Sequence, residues 1–428
     1  MHLTHPNSAK ANKKTLIVPD KDADGLSSGA ILRHTLMLLG LDESLITVHL
    51  LAKSSTVHSP TESALMASHK PAYIFVLDQG SRRSPPLIPD PTTVSLIIDH
   101  HHAPSASDFP ASSSHATASN SPPVATASLL THHICTPLHP SLPSLTSWLA
   151  VVGTHGDLGT SLKWQAPFPD MSQTFKTYKK GTLNAVVSLL NAPRRTPAYD
   201  VLSAWKALTA PDAPASILTN PRLLAAKQEV AAEVNRCTHT APQFSADGKV
   251  AVFRIRSGAQ VHPLIATRWA GTLKSNVLEW VMCANEGYAE GKVNFSCRVA
   301  KCAKGREVEV DIIRALKGYA ELAPVGDDGR DGGDVGGEGL EKKQVLPSTS
   351  LLERVGEDFA RGHVQASGGI VGREEFEELM GLMQVGVKKS AAKKEAGEKS
   401  GSASTKKKGG IVDSGQKNTL TSYFGKAA

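Results

Sequence analysis

Four short segments rich in acid and histidine, each directly after an apolar run, constrain this chain more than any other feature. They read Asp20-Lys21-Asp22-Ala23-Asp24-Gly25, Leu77-Asp78, Asp99-His100-His101 and Gly153-Thr154-His155-Gly156-Asp157. Carboxylates and imidazoles beside a core are costly unless something pairs with them. The runs Leu16–Pro19, Phe75–Leu77 and Leu96–Ile98 are short and continuous, as in strands buried on both faces. Helix-patterned stretches separate them, which favours a parallel sheet covered on both sides. Ligand sites in such sheets lie beyond the carboxyl ends of the strands. Asp20, Asp78 and Asp99 all stand there. The expected fold class is α/β. A parallel-sheet N-terminal domain is joined by a helix to a smaller α/β C-terminal domain, and a disordered basic tail follows.

The spacing predicts strands at Thr15–Pro19, Ile46–Leu51, Tyr73–Leu77 and Val94–Ile98, with helix over Leu26–Gly40. This first domain core covers 15–160, and the Ser/Ala/Pro-rich stretch 103–123 inside it reads as a disordered insertion. Residues 161–244 form a helical extension. It is closed by Pro221–Cys237, whose Leu223, Leu224, Ala225, Val230 and Val234 share one helical face. A second α/β unit covers 245–387, with strands at Val250–Ile255, Val277–Ala284 and Lys292–Val299. The Gly- and Asp-rich stretch 325–344 reads as a floppy insertion, and 388–428 as a disordered tail.

Ten lysines and three acids from Lys388 onwards account for the whole formal charge of +7. The body is therefore neutral, and any phosphate binding there must come from local groups and metals. The five cysteines form no Cys-x-x-Cys pair, so reduced, mostly buried thiols are expected rather than a zinc cluster or disulfide framework. No run approaches the apolar length of a membrane span.

Asp22 and Asp24, one residue apart, face the same way in an extended turn. Asp78, alone at a neighbouring strand end, is placed to bridge two cations. His100 adds a nitrogen ligand and Asp157 closes the set. Oxygen-rich ligands with an occasional imidazole suit Mn²⁺ or Mg²⁺. Two such ions would activate water and polarise a phosphoryl oxygen, so no serine or cysteine nucleophile is needed. His101 would face the substrate as a proton donor or charge stabiliser. Each segment alone has a plainer reading. The first suits a calcium-type loop or a turn, Asp78 a helix cap, and Asp-His-His a helix start with surface rings. His102 leaves the register open by one, and His155 reads as a supporting or solvent-facing ring.

Taken together and in this order, the segments resemble the four motifs of the DHH phosphoesterase superfamily, and Asp20-Lys-Asp-Ala-Asp-Gly resembles its RecJ-like exonuclease branch. The resemblance implies Asp20, Asp22, Asp24, Asp78, His100 and Asp157 as metal ligands for two Mn²⁺ or Mg²⁺ ions. His101 and Asp78 are implied to act in catalysis. Ser296-Cys297-Arg298 and Gly362-His363-Val-Gln-Ala-Ser-Gly368-Gly369 resemble the DHH-associated substrate-binding domain, implying substrate contacts from Arg298, His363 and Gly368. Arg361 stands where the family usually has a further glycine. The implied activity is a metal-dependent phosphodiesterase that degrades single-stranded nucleic acid with 5′ to 3′ polarity. Rival readings are a phosphodiesterase for short oligonucleotides, cyclic dinucleotides or other small phosphoesters, and a non-catalytic replication factor of the same fold.

In the tail, lysine clusters at 388–389, 393–394 and 406–408 suit nuclear import or a nucleic-acid tether. Lys417, Leu420, Tyr423 and Phe424 are similar in spacing to the peptide that docks on the sliding clamp, proliferating cell nuclear antigen. One helical turn would gather Leu420, Tyr423 and Phe424 into an anchor for a groove.

Overall fold

The computed structural model describes residues 11–103, 105–119, 125–322, 349–356 and 359–387. Predicted stretch 325–344 and the 388–428 tail, with its Lys417–Phe424 peptide, lie outside the described residues.

The N-terminal domain is built on a five-stranded parallel sheet, in the order β2-β1-β3-β4-β5. Its strands are β1 (Thr15–Pro19), β2 (Ile46–Val48), β3 (Tyr73–Leu77), β4 (Val94–Asp99) and β5 (Ser113–Thr117). Strand β1 is buried along its whole length. Alternate residues serve opposite faces, as the pleat demands. Leu16, Val18, Ile74, Val76 and Ile97 pack on one side with Met66, which belongs to helix α2 (Pro60–Ser68). Ile17, Phe75, Leu77, Leu96 and Ile98 pack on the other with Leu32 and Leu36 of helix α1 (Ala23–Leu38). Behind α1 lie α3 (Ala127–Cys135), α4 (Leu142–Leu158), α5 (Ser172–Tyr178), α6 (Lys180–Asn191), α7 (Val201–Leu208) and α8 (Ala215–Thr219). Leu149, Val152, Leu183, Val186, Leu190, Leu208 and Ile217 share one apolar cluster there with Leu26 and Ile31.

One expectation is corrected. The described part of 103–123 is not a disordered insertion. Ser113–Thr117 pairs in parallel with β4 from Ser95↔Ser113 to Asp99↔Thr117. Ala103 and Phe109 are buried, and the Phe109 ring stacks on His115 at 4.1 Å. An edge strand does not need the apolar run of a central one, so Ser-Ser-His-Ala-Thr carries no compositional sign of its pairing.

Helix α9 (Pro221–Cys237) has the bounds that its apolar spacing predicts. Pro221 occupies the first turn, where its missing N–H is harmless, and the Asn220 side chain accepts from Arg222 N and Leu223 N. The second domain carries a six-stranded mixed sheet, ordered β10-β11-β9-β8-β7-β6. Its elements run β6 (Gln243–Phe244), β7 (Val250–Ile255), α10 (His262–Thr272), β8 (Trp280–Ala289), β9 (Lys292–Val299), α11 (Ile312–Ala320), α12 (Leu351–Val355), β10 (Arg361–His363), β11 (Ala366–Gly372) and α13 (Arg373–Leu382). Strand β8 starts later than the predicted Val277, which is 54% exposed. Four of the five free cysteines are buried. Among the described residues no helix is long and apolar enough to cross a membrane.

Candidate metal centre

Three parallel strands deliver their acids to one edge of the sheet. The turn after β1 carries Asp20 and Asp22, and Asp24 stands in the first turn of α1. Asp78 follows β3, while Asp99, His100 and His101 end β4. Asp157 comes from the last turn of α4. Backbone hydrogen bonds hold these strand ends level: Asp20 N donates to Leu77 O and Asp78 N to Ile98 O, both at 2.9 Å.

Asp22 caps α1, its Oδ1 accepting from Asp24 N at 3.1 Å and Gly25 N at 3.3 Å. Its Oδ2 lies 3.6 Å from Arg194 Nη2. Both oxygens of Asp24 are fixed by the start of α3, accepting from Ala127 N at 2.7 Å and Ser128 N at 3.0 Å. Close approach of α4 makes this possible. A Cβ on Gly153 would lie 2.1 Å from Ser128 Oγ and 2.6 Å from Asp24 Oδ1, so only glycine fits.

The predicted ligands form two groups with one shared member. Asp24, Asp78, His100 and Asp157 each offer a ligand atom within 4.8 Å of the others, and so do Asp20, Asp22 and Asp78. His100 Nε2 stands 2.9 Å from Asp157 Oδ2, 3.3 Å from Asp78 Oδ1 and 3.9 Å from Asp24 Oδ2. Asp78 has φ of +62°, a left-handed backbone that is strained for a residue with a side chain and is typical of functional sites. His100 is buried in the cluster and His102 is exposed, so His100 is the ring of the third segment that meets the acids.

His101 is grouped with Asp78 and Asp99, their ligand atoms within 4.8 Å of one another. Asp99 accepts from His101 Nδ1 at 2.8 Å and from the backbone N–H of His100, His101 and Ser81. Burial pulls the His101 ring towards neutrality, but Asp99 outweighs it and raises the ring to about 9. From the second domain, His363 stacks on His101 at 5.8 Å with 14° between the ring planes, and its centroid is 5.5 Å from that of His100. Arg298 on β9 donates to Ser296 Oγ at 2.9 Å and Cys297 O at 2.8 Å. Gly368 pairs with Ser296 across the sheet. A Cβ there would lie 2.7 Å from Phe295 O, so close strand packing explains this glycine.

Several residues escaped the motif reading. Asp99 heads the third segment, yet its work as the His101 anchor shows only in three dimensions. Arg194 and Arg195 lie in the short turn after α6. Arg194 is held by Asn191 Oδ1 and Gln260 Oε1, both at 3.1 Å. Burial, then the charges of Arg298, Arg195 and Arg194, depress the His262 ring to about 3. These cations gather from both domains beside Asp22. His155 is buried, with Nδ1 2.8 Å from Asn184 Oδ1 and Nε2 accepting from Trp164 Nε1 at 2.9 Å. Neither nitrogen is left for a ligand.

Solved structures share this architecture. RecJ from Thermus thermophilus in complex with Mn²⁺ aligns at a TM-score of 0.56 and 16% identity, over 90% of this chain and 55% of that one. Exonuclease RecJ bound to manganese aligns at 0.54 and 16%, over 89% and 93%. The DHH domain of a member of a family of ribosomal proteins aligns at 0.60 and 11%, over 89% and 88%. The chain has a RecJ-like DHH fold. At these identities the likeness is one of fold, and the chain spans about half the length of the Thermus protein. No family model matches it, and no curated protein does.

The acid cluster of this DHH fold suits divalent metal ions. Asp78 Oδ1 and His100 Nδ1 are buried without a hydrogen-bond partner among the described residues. Such groups are expensive unless something coordinates them. Burial, then repulsion from Asp24, Asp22, Asp157 and Asp20, pushes the Asp78 carboxyl well above its ordinary value. Burial and Asp157 push Asp24 up to about 6. Burial also raises Asp22, but Arg194, the Gly25 N–H and Lys21 bring it below the usual range. A dication would relieve the repulsion among these carboxylates.

Proposed function

We propose that the chain is a two-metal-dependent phosphodiesterase that removes nucleotides from an end of single-stranded nucleic acid. The observation that carries this reading is Asp78, common to both ligand groups. Asp24, Asp78, His100 and Asp157 would hold one Mn²⁺ or Mg²⁺, and Asp20, Asp22 and Asp78 the other. Bound there, the ions would supply Lewis acidity and an activated water. His101, protonated at neutral pH with Nδ1 engaged by Asp99, keeps Nε2–H to donate to a phosphoryl oxygen. Arg194, Arg195, Arg298 and His363 line the approach, where guanidinium forks match phosphate oxygens. This local charge supports phosphate binding on a body that is neutral overall.

The test is a substrate panel in Mn²⁺ with 5′- and 3′-labelled strands, products resolved by length. Stepwise release from the 5′ end of long single strands is expected. Turnover confined to dinucleotides or small phosphoesters would replace this reading with a small-substrate phosphodiesterase, and no turnover would leave a binding role.

Metal loading is expected to weaken on acidification below about pH 6. Asp24 holds its proton below about 6, and ligation requires the carboxylate, so protons must leave as metal binds. Calorimetry in buffers of different ionisation enthalpy reads that release directly, and a proton-neutral titration at pH 6 would contradict it.

We also propose that the tail peptide docks on the sliding clamp and that the lysine clusters direct the chain to the nucleus. Support comes from the spacing of Lys417, Leu420, Tyr423 and Phe424. The double variant Tyr423→Ala, Phe424→Ala is expected to lose clamp binding in a pull-down while hydrolysis persists. An unchanged clamp affinity would discard the peptide.

A further inference from the structure

A groove of about 420 Å³ opens beside the first acidic turn, lined by Leu50, Leu51, Tyr199, Val201, Leu202 and Arg222. Its position follows from register. Val48 of β2 pairs with Ile17 of β1, and His49 N donates to Ile17 O at 2.9 Å, so Leu50 and Leu51 follow directly from the end of that pairing. The opposite wall is the turn between α6 and α7. There Tyr199 has φ of +51°, a rare backbone for a bulky residue and a mark of functional constraint. Lys53 braces this turn across both domains. Its Nζ donates to Pro197 O at 3.4 Å and Gly258 O at 3.2 Å, and sits 4.3 Å from the Tyr288 ring centroid. Arg194, five residues before Tyr199 in the same turn, lies 3.6 Å from Asp22, so this turn reaches from the acid cluster to the groove. Leu202 leaves 51% of its surface in water. At the rim, Arg222 Nε donates to Asp200 Oδ2 at 2.7 Å.

We propose that this groove is a nucleobase pocket that holds the base of a nucleotide whose phosphate lies at the acid cluster. The inference rests on the reading that the cluster handles nucleotide phosphates, and it adds what lies beside that phosphate. An aromatic ring with flanking leucines suits the face of a planar heterocycle, and stacking of this kind accepts any base. Arg222 offers donors to the polar edge of the base, held in place by Asp200, whose oxygens also accept from Ser203. The volume matches that of small-ligand sites.

The experiment compares adenosine 5′-phosphate with ribose 5-phosphate, which lacks the base, as ligands of the full chain by calorimetry, with Mn²⁺ and again without. Wild type is expected to bind the nucleotide at least about tenfold more tightly. Leu202→Asp should bring that ratio near one, whereas Leu145→Asp, an exposed position on α4, should keep it. A wild-type ratio near one, or a ratio that survives Leu202→Asp, overturns the pocket. Turnover of a long 5′-labelled single strand and of a dinucleotide is measured on the same wild-type sample. A high, Leu202-dependent ratio without turnover leaves the pocket standing and removes the catalytic reading. Turnover without the ratio does the reverse.

Discussion

Asp78→Asn is expected to abolish turnover and at the same time to raise the melting temperature of the metal-free protein. The two effects have one cause. Asp78 is the carboxylate common to both ligand groups, so its loss weakens the hold on both cations. Lewis-acid stabilisation is worth several kcal/mol, which puts the fall in rate at roughly a thousandfold or more. Without metal, the same carboxylate is buried against four other acids, and its folded value lies above its unfolded one. For an acid shifted in this direction, the unfolded chain gives up its proton first, so stability falls as pH rises through the interval between the two values. Asp24 adds the same sign between about 4 and about 6. The metal-free wild type should therefore melt higher in mild acid than at neutrality as far as these groups act, and Asn at 78 should lessen the loss. Asn also tolerates the left-handed backbone there. Thermal unfolding in chelator and in Mn²⁺ checks both halves. Wild type should gain stability from the metal by mass action, and the variant should not. A variant with near-normal rates, or one that melts lower in chelator, would refute the assignment of Asp78.

Asp99→Asn should cost about a hundredfold in rate with little change in metal affinity. Asp99 belongs to neither of these two ligand groups, though it lies within reach of Asp78 and His101. It anchors His101 Nδ1 and three backbone N–H groups, and outer partners of this kind typically carry effects of roughly 10- to 100-fold. The amide keeps one acceptor oxygen but loses the charge that raises His101 to about 9. His101 would then lose its proton nearer neutrality. The rate should fall on the alkaline side at a lower pH than in wild type, and a pH–rate profile reads this separately from any loss of folding. A profile unmoved on its alkaline side would show that the charge of His101 plays no part.

Much of this site was legible because fully buried parallel strands leave an unmistakable mark. Leu16–Pro19, Phe75–Leu77 and Leu96–Ile98 are continuous apolar runs, and an acid directly after such a run has to stand at a sheet edge. Asp20, Asp78 and Asp99 followed from that rule, and His100 from its place beside Asp99. Asp157 did not come from a strand at all. It rides on the last turn of α4, and its arrival depends on Gly153 letting two helices touch. Apart from Arg298, which the resemblance singled out, the arginine wall left no trace because its members are remote in sequence. Arg194 and Arg195 follow α6 and Arg298 sits on β9, so no spacing rule connects them. Strand β5 was missed for the opposite reason, since serine, histidine and threonine at a sheet edge look like the polar stretch they adjoin.

Asp24 gives the fold an unusual vulnerability. Its two oxygens are fastened to the first N–H groups of α3, so a ligand of the reaction centre doubles as a rivet in the helical scaffold. Damage to that scaffold at positions that hold no cation themselves, Ser128 or Gly153 for instance, would surface in an assay as poor cation affinity. Mutational scans of this protein should therefore weigh such positions as alignment defects before counting them among the ligands.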